Sequence, residues 1–204
     1  MTTSTVPTTS TREYHGTVVP VPGVYDIDQT HTTVEFIARH LMISKVRGRF
    51  GSFTGTVTVA EVPEESSVDV TIDATSIETS QEQRDAHLRS PDFFDAEKYP
   101  TLTFKSTSVK LDGDDWKVTG DLTLRDVTRP VVLEVEFEGA NATPWGTQAV
   151  AFSASTEIDR EEWGLSYNQA LETGGVVVGK KVRIELNVEA IQRQESSDQE
   201  RGAA

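Results

Sequence analysis

The chain reads as an all-β protein, an extended eight-stranded antiparallel barrel with a short helical insert near one mouth. Three observations predict it. Apolar residues alternate with polar ones over about eight stretches, most of them joined by short turns. Several stretches run ten residues or more, over ~30 Å at a strand's rise. Long strands in meander order favour an up-and-down barrel over a sandwich. Eight is also the number at which a barrel is either filled by its own side chains or holds one small ligand.

Residues 1–22 are rich in Thr, Ser and Pro and read as a disordered tail. Val24 to Ile27 opens the first strand. From His31 the chain alternates, with Val34, Phe36, Ala38 and His40 on one face and Thr33, Glu35, Ile37 and Arg39 on the other. Val46 to Val59 is a longer strand whose apolar parity shifts from even (Val46, Phe50) to odd (Phe53, Val57, Val59). Gly51 sits at the shift and predicts a bulge or bend. Glu61 to Ser67 is a turn with a proline, and Val68, Val70, Ile72 and Ala74 form the next apolar face.

The run Ser80 to Pro100 breaks the alternation. Ser80 and Gln83 have capping-box spacing, and Gln81 to Arg89 are mostly good helix formers. Glu82 suits the positive end of the helix dipole. Ser90-Pro91 reads as a second cap with proline at the first helical position. Leu102 to Val109 is the next strand, and Asp112-Gly113-Asp114 is a hairpin turn. Its partner carries Trp116, Val118, Leu122 and Leu124. Val131, Leu133, Val135 and Phe137 alternate with Val132, Glu134, Glu136 and Glu138. After a turn at Asn141 to Gly146 come Val150, Phe152, Ala154, Thr156 and Ile158. Arg160 to Gly175 is irregular, and Val178, Val182, Ile184, Leu186 and Val188 share one face of the last strand. Residues 192–204 are polar and read as a second tail, which leaves one domain over 23–191.

A chain of 204 residues, 36% hydrophobic, can bury one large β core. Its net charge of −14 argues against nucleic acid, where Lys and Arg must neutralise phosphates, and disfavours docking on anionic lipid surfaces. There are no cysteines, so neither disulfides nor thiolate chemistry arise. No segment reaches the ~18 apolar residues of a membrane span, and the N-terminus lacks the regions of a secretory signal. These features predict a cytoplasmic protein without stable membrane insertion. Strands of this length are compatible with a homodimer paired across a symmetry axis.

Five co-linear segments carry a further signal. They are YDIDQTHTTVEFIARHLMISKVRGRFGSFTGTV from Tyr25, QRDAHLRSPDFFDAEKYPTLTFKSTSV from Gln83, GDLTLRDVTRPVVLEVEF from Gly120, FSASTEIDREEWGLSY from Phe152 and VGKKVRIELNVEA from Val178. Together they resemble the YceI-like family, the lipocalin-like polyisoprenoid-binding proteins of bacteria. The resemblance implies a lipocalin-like barrel, a helix near one mouth, and a long isoprenoid or similar amphiphile inside. Many members of that family are periplasmic; this chain shows no secretion signal, so that compartment does not carry over.

Candidate site residues follow from position. His40 is in phase with Val34 and Phe36 and so points inward, to meet either a ligand head group or a backbone carbonyl. Arg84 and His87 are neighbours on one helical face. The planar fork of Arg84 suits a phosphate or carbonyl head group at the mouth; the competing role is an ion pair with Asp159 or another carboxylate that pins the helix to the barrel. Arg160 carries the same two readings. Phe36, Phe50, Phe53, Phe93, Phe94, Phe104, Phe152, Trp116 and Trp163 are core candidates, and in a barrel core and pocket wall are one surface. Ala38, Gly48, Gly55, Ala74, Gly120 and Ala154 are small enough to leave room for a chain.

His15, His31, His40 and His87 lack metal-binding spacing, so neither a metal nor a cofactor is expected. No G-x-S-x-G elbow is present for nucleophilic catalysis. The expected function is binding, with carriage or sequestration, of a polyprenyl, polyprenyl phosphate or quinone-type lipid. The alternatives are an enzyme acting on such a lipid through His40, Arg84 and His87, and a packed-barrel stress protein without ligand.

Overall fold

The computed structural model describes residues 10–170 and 176–194, and most of its strands fall where the alternation lies. β1 (Thr11–Tyr14) and β2 (Thr17–Pro20) form a hairpin of their own. The first half of the large sheet holds β3 (Gly23–Ile27), β4 (Thr33–His40), β5 (Ser44–Phe50), β6 (Phe53–Val59), β7 (Ser67–Asp73) and β8 (Ile77–Glu78). One α-helix, α1 (Glu82–Arg89), follows. The second half holds β9 (Thr101–Asp112), β10 (Asp115–Leu124), β11 (Val127–Ala142), β12 (Gln148–Asp159) and β13 (Val178–Gln192).

Register shows how the sheet closes. β13 pairs with β12 on one side; on the other, its last residues pair with β3 and its earlier ones with β4. β3 and β4 thus act as one broken stave, and β5 and β6, which pair with β4 and β3 respectively, as the next. Staves β3/β4, β5/β6, β7, β9, β10, β11, β12 and β13 follow in chain order and return to the start, an eight-stranded antiparallel barrel without a free edge in the cycle. The break between β5 and β6 falls at Gly51, where the parity shift puts it. Phe50 and Phe53 are both buried on either side of the bend, and the Gly51 N–H donates to the Ser76 carbonyl at 3.2 Å. A second register shift, opposite Thr119 and Gly120, and a third between Phe137 and Gly139 bend the later staves.

Part of the expected N-terminal tail is structured. His15 and Gly16 take positive φ (50° and 86°), which folds Thr17–Pro20 back on Thr11–Tyr14. Val19 is 2% exposed, and the Arg12 guanidinium donates to the Ala60 and Glu61 carbonyls at 3.0 and 2.7 Å. The hairpin lies against one end of the barrel because β-branched residues hidden in a Thr-rich stretch still need burial. Residues 1–9 and 195–204 lie outside the described residues. Gln192 pairs with Tyr25, and the Arg193 N–H donates to the Val24 carbonyl at 2.7 Å, so β13 runs slightly past the expected domain end.

The insert differs from expectation at both caps. Ser80 sits at φ 61° and turns the chain, and the N-cap is Gln81, whose side-chain oxygen accepts the Arg84 N–H. The second cap is absent: Ser90 closes α1 by donating its hydroxyl to the His87 carbonyl at 2.7 Å, and Pro91 to Phe94 form a turn. Beneath α1, buried Asp85 accepts the Thr79 N–H at 2.8 Å and the Thr79 hydroxyl, fixing the helix to the end of β8.

Two of the small interior residues serve a different purpose from the one expected. A Cβ on Gly48 would stand 2.2 Å from the Phe36 ring, and one on Gly120 would stand 2.4 Å from the Phe104 ring. These glycines let an aromatic ring lie flat across the sheet, so they hold no free room. The Gly120 site is the less forgiving, because its Cβ would also meet the Lys105 carbonyl at 2.7 Å, and backbone cannot step aside. Gly120→Ala is therefore expected to cost about 1–3 kcal/mol and lower the thermal midpoint by roughly 2–12 °C, measured by calorimetry.

Candidate functional site

The inward faces of the staves enclose a cavity of about 310 Å³. That is at the lower end of the ~300–1,000 Å³ typical of ligand pockets. Its wall is built mostly of apolar side chains. Phe36, Phe50, Phe53, Phe104, Trp116 and Phe152 line it, with Ala38 and Ala154 among them. One end is covered by Leu88, Phe93 and Phe94 of the insert, the other by Val19, Pro20 and Pro63. Along β13 the wall runs from Val178 to Val188, roughly 33 Å of strand and about 25 Å along the axis at a usual barrel tilt. The cover at the insert end is an aromatic cluster. Phe94 meets Phe50 edge-on at 5.7 Å between centroids, and Phe93 packs on Tyr167 at 5.2 Å and on His87 at 5.1 Å.

Arg160 is the one cation in this wall among the described residues. It follows β12 on a short 3-10 turn that Asp159 caps, and it is 4% exposed. Its Nε donates to the Gly179 carbonyl at 3.0 Å, Nη2 to the Tyr167 carbonyl at 2.9 Å, and Nη1 to the Leu165 carbonyl. Among the described residues no carboxylate pairs with it; three backbone carbonyls take that place. Burial lowers the Arg160 pKa, opposed by the nearby Glu161 and Asp159. A guanidinium has five N–H donors, so two remain beyond the three engaged. Its carbon lies 6.0 Å from the Phe93 ring centroid, which places the charge under the aromatic cover. Glu35 also borders the cavity, but its carboxylate lies 3.6 Å from Arg47 and 58% of that arginine's side chain is exposed, so the acid faces out.

Four expected site residues stand outside the wall. Trp163 is 1% exposed and donates its indole N–H to the Leu122 carbonyl at 3.0 Å, so it is core behind the pocket. Arg84 bonds Thr79 through Nε (2.6 Å to the hydroxyl) and Nη2 (2.7 Å to the carbonyl), and the anticipated pairing with Asp159 does not form. His87 contacts Asp92 at 2.8 Å and backs Phe93 and Tyr167 from outside. His40 sits at the end of β4, opposite Val178 and Ser44, past the last lining residue of that strand. Leu88, Val19 and Tyr167 were not singled out from sequence, since a lone apolar residue in an insert or tail has no periodicity to betray it.

Among the described residues, Asp28, His31 and Glu189 form one group of potential metal ligands, and no spacing rule could find it, because Glu189 comes from the far end of the chain. Its geometry is that of an exposed ion pair: His31 Nδ1 lies 2.7 Å from Asp28 and 3.7 Å from Glu189. The Asp28 hydrogen bond raises the His31 pKa, and the same contact lowers that of Asp28. The pair therefore supports the fold between the ordinary carboxylate and imidazole values, about 4 and about 6.5. Its contribution falls as pH drops through the lowered Asp28 value or rises through the raised His31 value. In an NMR titration the His31 midpoint is expected above about 6.5, and Asp28→Asn should bring it back toward that value.

A closed eight-stranded barrel around a lidded hydrocarbon bore defines a lipocalin-like barrel with room inside, as opposed to a filled one. Residues 25–190 match the YceI-like domain, and the chain belongs to that family. Protein YceI of Escherichia coli is 39% identical over 179 residues, covering 87% of this chain and 91% of the relative. The crystal structure of Burkholderia cenocepacia BcnA superposes with a TM-score of 0.70 at 22% identity, over 80% of this chain and 98% of that one. A polyisoprenoid binding domain from Saccharophagus degradans, implicated in plant cell wall breakdown, matches with a TM-score of 0.61 at 17% identity, over 85% of this chain and all (100%) of that one. No helix among the described residues is long and apolar enough to cross a membrane.

Proposed function

We propose that the barrel binds one isoprenoid-type lipid, a polyprenyl chain, polyprenyl phosphate or quinone, and carries or sequesters it. The observation that carries this reading is the cavity: long, narrow, walled by hydrocarbon, and bordered at one end by a single buried cation with donors to spare. The tail lies along the bore, and the polar end faces Arg160. Family membership and the likeness to a polyisoprenoid binding domain support the same reading.

A prenyl tail offers few hydrogen-bonding groups, so affinity comes from buried area. At ~0.8 kcal/mol per CH₂, a twenty-carbon tail contributes on the order of 15 kcal/mol gross. Association costs about 4–15 kcal/mol, so micromolar or tighter binding is within reach without any catalytic group. The enzyme alternative lacks a shared site: Arg84 is engaged by Thr79, His87 by Asp92, and His40 lies past the wall. Organic extraction of the gently purified protein followed by mass spectrometry tests the proposal. A prenyl lipid at about one per chain is expected; protein that carries none and takes none up from solution refutes it.

A further inference from the structure

The turn between β4 and β5 is built against the usual chemistry of such turns. The Ile43 N–H donates to the His40 carbonyl at 3.1 Å, and the two central residues, Leu41 and Met42, both take positive φ (52° and 62°). That is the backbone of a type I′ turn, where Asn-Gly is favoured because bulky side chains are strained at positive φ. The strain is not relieved by packing, since Leu41, Met42 and Ile43 are 37%, 51% and 82% exposed.

The surroundings are cationic, although the whole chain carries −14. Arg39 and Lys45 stand directly opposite one another across β4 and β5, a like-charge pairing that disfavours the sheet on its own. The Cβ position of Gly179 is 3.2 Å from Arg39, which brings the exposed Lys180 and Lys181 alongside. Lys180 pairs with Glu161 at 2.7 Å, and Lys181 stands opposite Asp159 across β12 and β13; among the described residues Arg39, Lys45 and Lys181 have no ion pair within 4 Å. The turn also touches the cavity end: the Leu41 N–H donates to the Val177 carbonyl at 2.8 Å, His40 pairs with Val178, and Val178 is part of the wall.

We infer that this apolar tip with its cationic collar is a docking surface for an anionic lipid bilayer, at the end of the barrel through which a lipid would pass. This rests on the lipid-carrier reading for its purpose. Leu41, Met42 and Ile43 enter the interface, and Arg39, Lys45 and Lys181 meet the lipid phosphates. Net charge sets the field far from the molecule, whereas contact within a Debye length is governed by the local patch.

Co-sedimentation with vesicles of phosphatidylcholine, with and without about one-third phosphatidylglycerol, tests it. The full chain is expected to bind the anionic vesicles at least tenfold better than the neutral ones, and less as salt rises. Ile43→Asp and the pair Arg39→Glu with Lys45→Glu should each lower that binding at least tenfold. Leu41→Asn with Met42→Gly places the favoured residues in the turn, so it should lower vesicle binding while keeping or raising the thermal midpoint, which separates docking from folding. Prenyl alcohol uptake from detergent micelles should be the same in every variant. Wild-type protein that ignores anionic vesicles, or variants that bind them equally, would overturn the inference. So would light scattering that shows Ile43→Asp only splitting a dimer into single chains. Vesicle binding without any prenyl uptake would leave the docking surface standing and remove the carrier reading instead.

Discussion

Arg160→Leu is expected to lower the thermal midpoint by roughly 6–20 °C, from a loss of about 3–5 kcal/mol. Replacing a buried charge with a hydrophobic residue is often neutral when both partners of an ion pair are removed together. That relief does not apply here, because the partners are the carbonyls of Gly179, Leu165 and Tyr167, which no side-chain substitution removes. Leucine retains much of the packing and strips only the donors, so the carbonyls are left in a dry site. The three come from β13 and from the segment after β12, and losing their common donor should loosen Tyr167 and the Phe93 ring packed on it. Arg160→Lys separates charge from geometry. An ammonium keeps the positive charge but cannot span three carbonyls in a plane, so its midpoint should fall between wild type and leucine. If an anionic head group faces this end, lysine should retain part of the affinity for a prenyl phosphate that leucine loses by more than tenfold. Equal midpoints for all three proteins would show that the carbonyl cluster is not held by Arg160.

The barrel was legible because period-two alternation and turn chemistry are local. The parity shift around Gly51 located a bend between Phe50 and Phe53 without any knowledge of the neighbouring strands. The N-terminal hairpin was hidden by composition: Thr and Ser suggest a tail, but Val19 and Pro20 after a His-Gly turn are enough for a two-stranded cover once a barrel end is there to receive them. The site was half legible. Interior parity found the aromatic wall, since side-chain direction in a strand is fixed by sequence alone. It failed at Trp163, which sits on an irregular segment with no period and packs behind the wall, and at Arg84, whose partner Thr79 is a hydroxyl and carbonyl where a carboxylate was anticipated. It also misjudged Gly48 and Gly120, because whether a glycine leaves space depends on the ring across the strand.

Ala154→Phe is expected to reduce prenyl uptake at least a hundredfold while leaving the fold intact. Ala154 lies on β12 between Val135 of β11 and Leu186 of β13, and all three border the cavity. A benzyl group there projects into the bore midway between the two covers and interrupts the path of a linear tail. Tryptophan would block it too, but its N–H would have no acceptor in a hydrocarbon wall. Phenylalanine adds only apolar surface to space that is empty in the ligand-free barrel, so the apo protein should be as stable as wild type or more so, by the relief of about 24 cal/mol for each Å³ of cavity filled. Binding and stability thus move in opposite directions, a signature that general damage to the barrel cannot produce. Ser155→Phe adds the same group one residue on, opposite Glu134 and Glu185 on the outer face, and should leave uptake unchanged. Titration calorimetry with a prenyl alcohol, alongside thermal melts of each variant, makes the comparison. Unchanged affinity in a folded Ala154→Phe protein would mean that the tail does not occupy the bore.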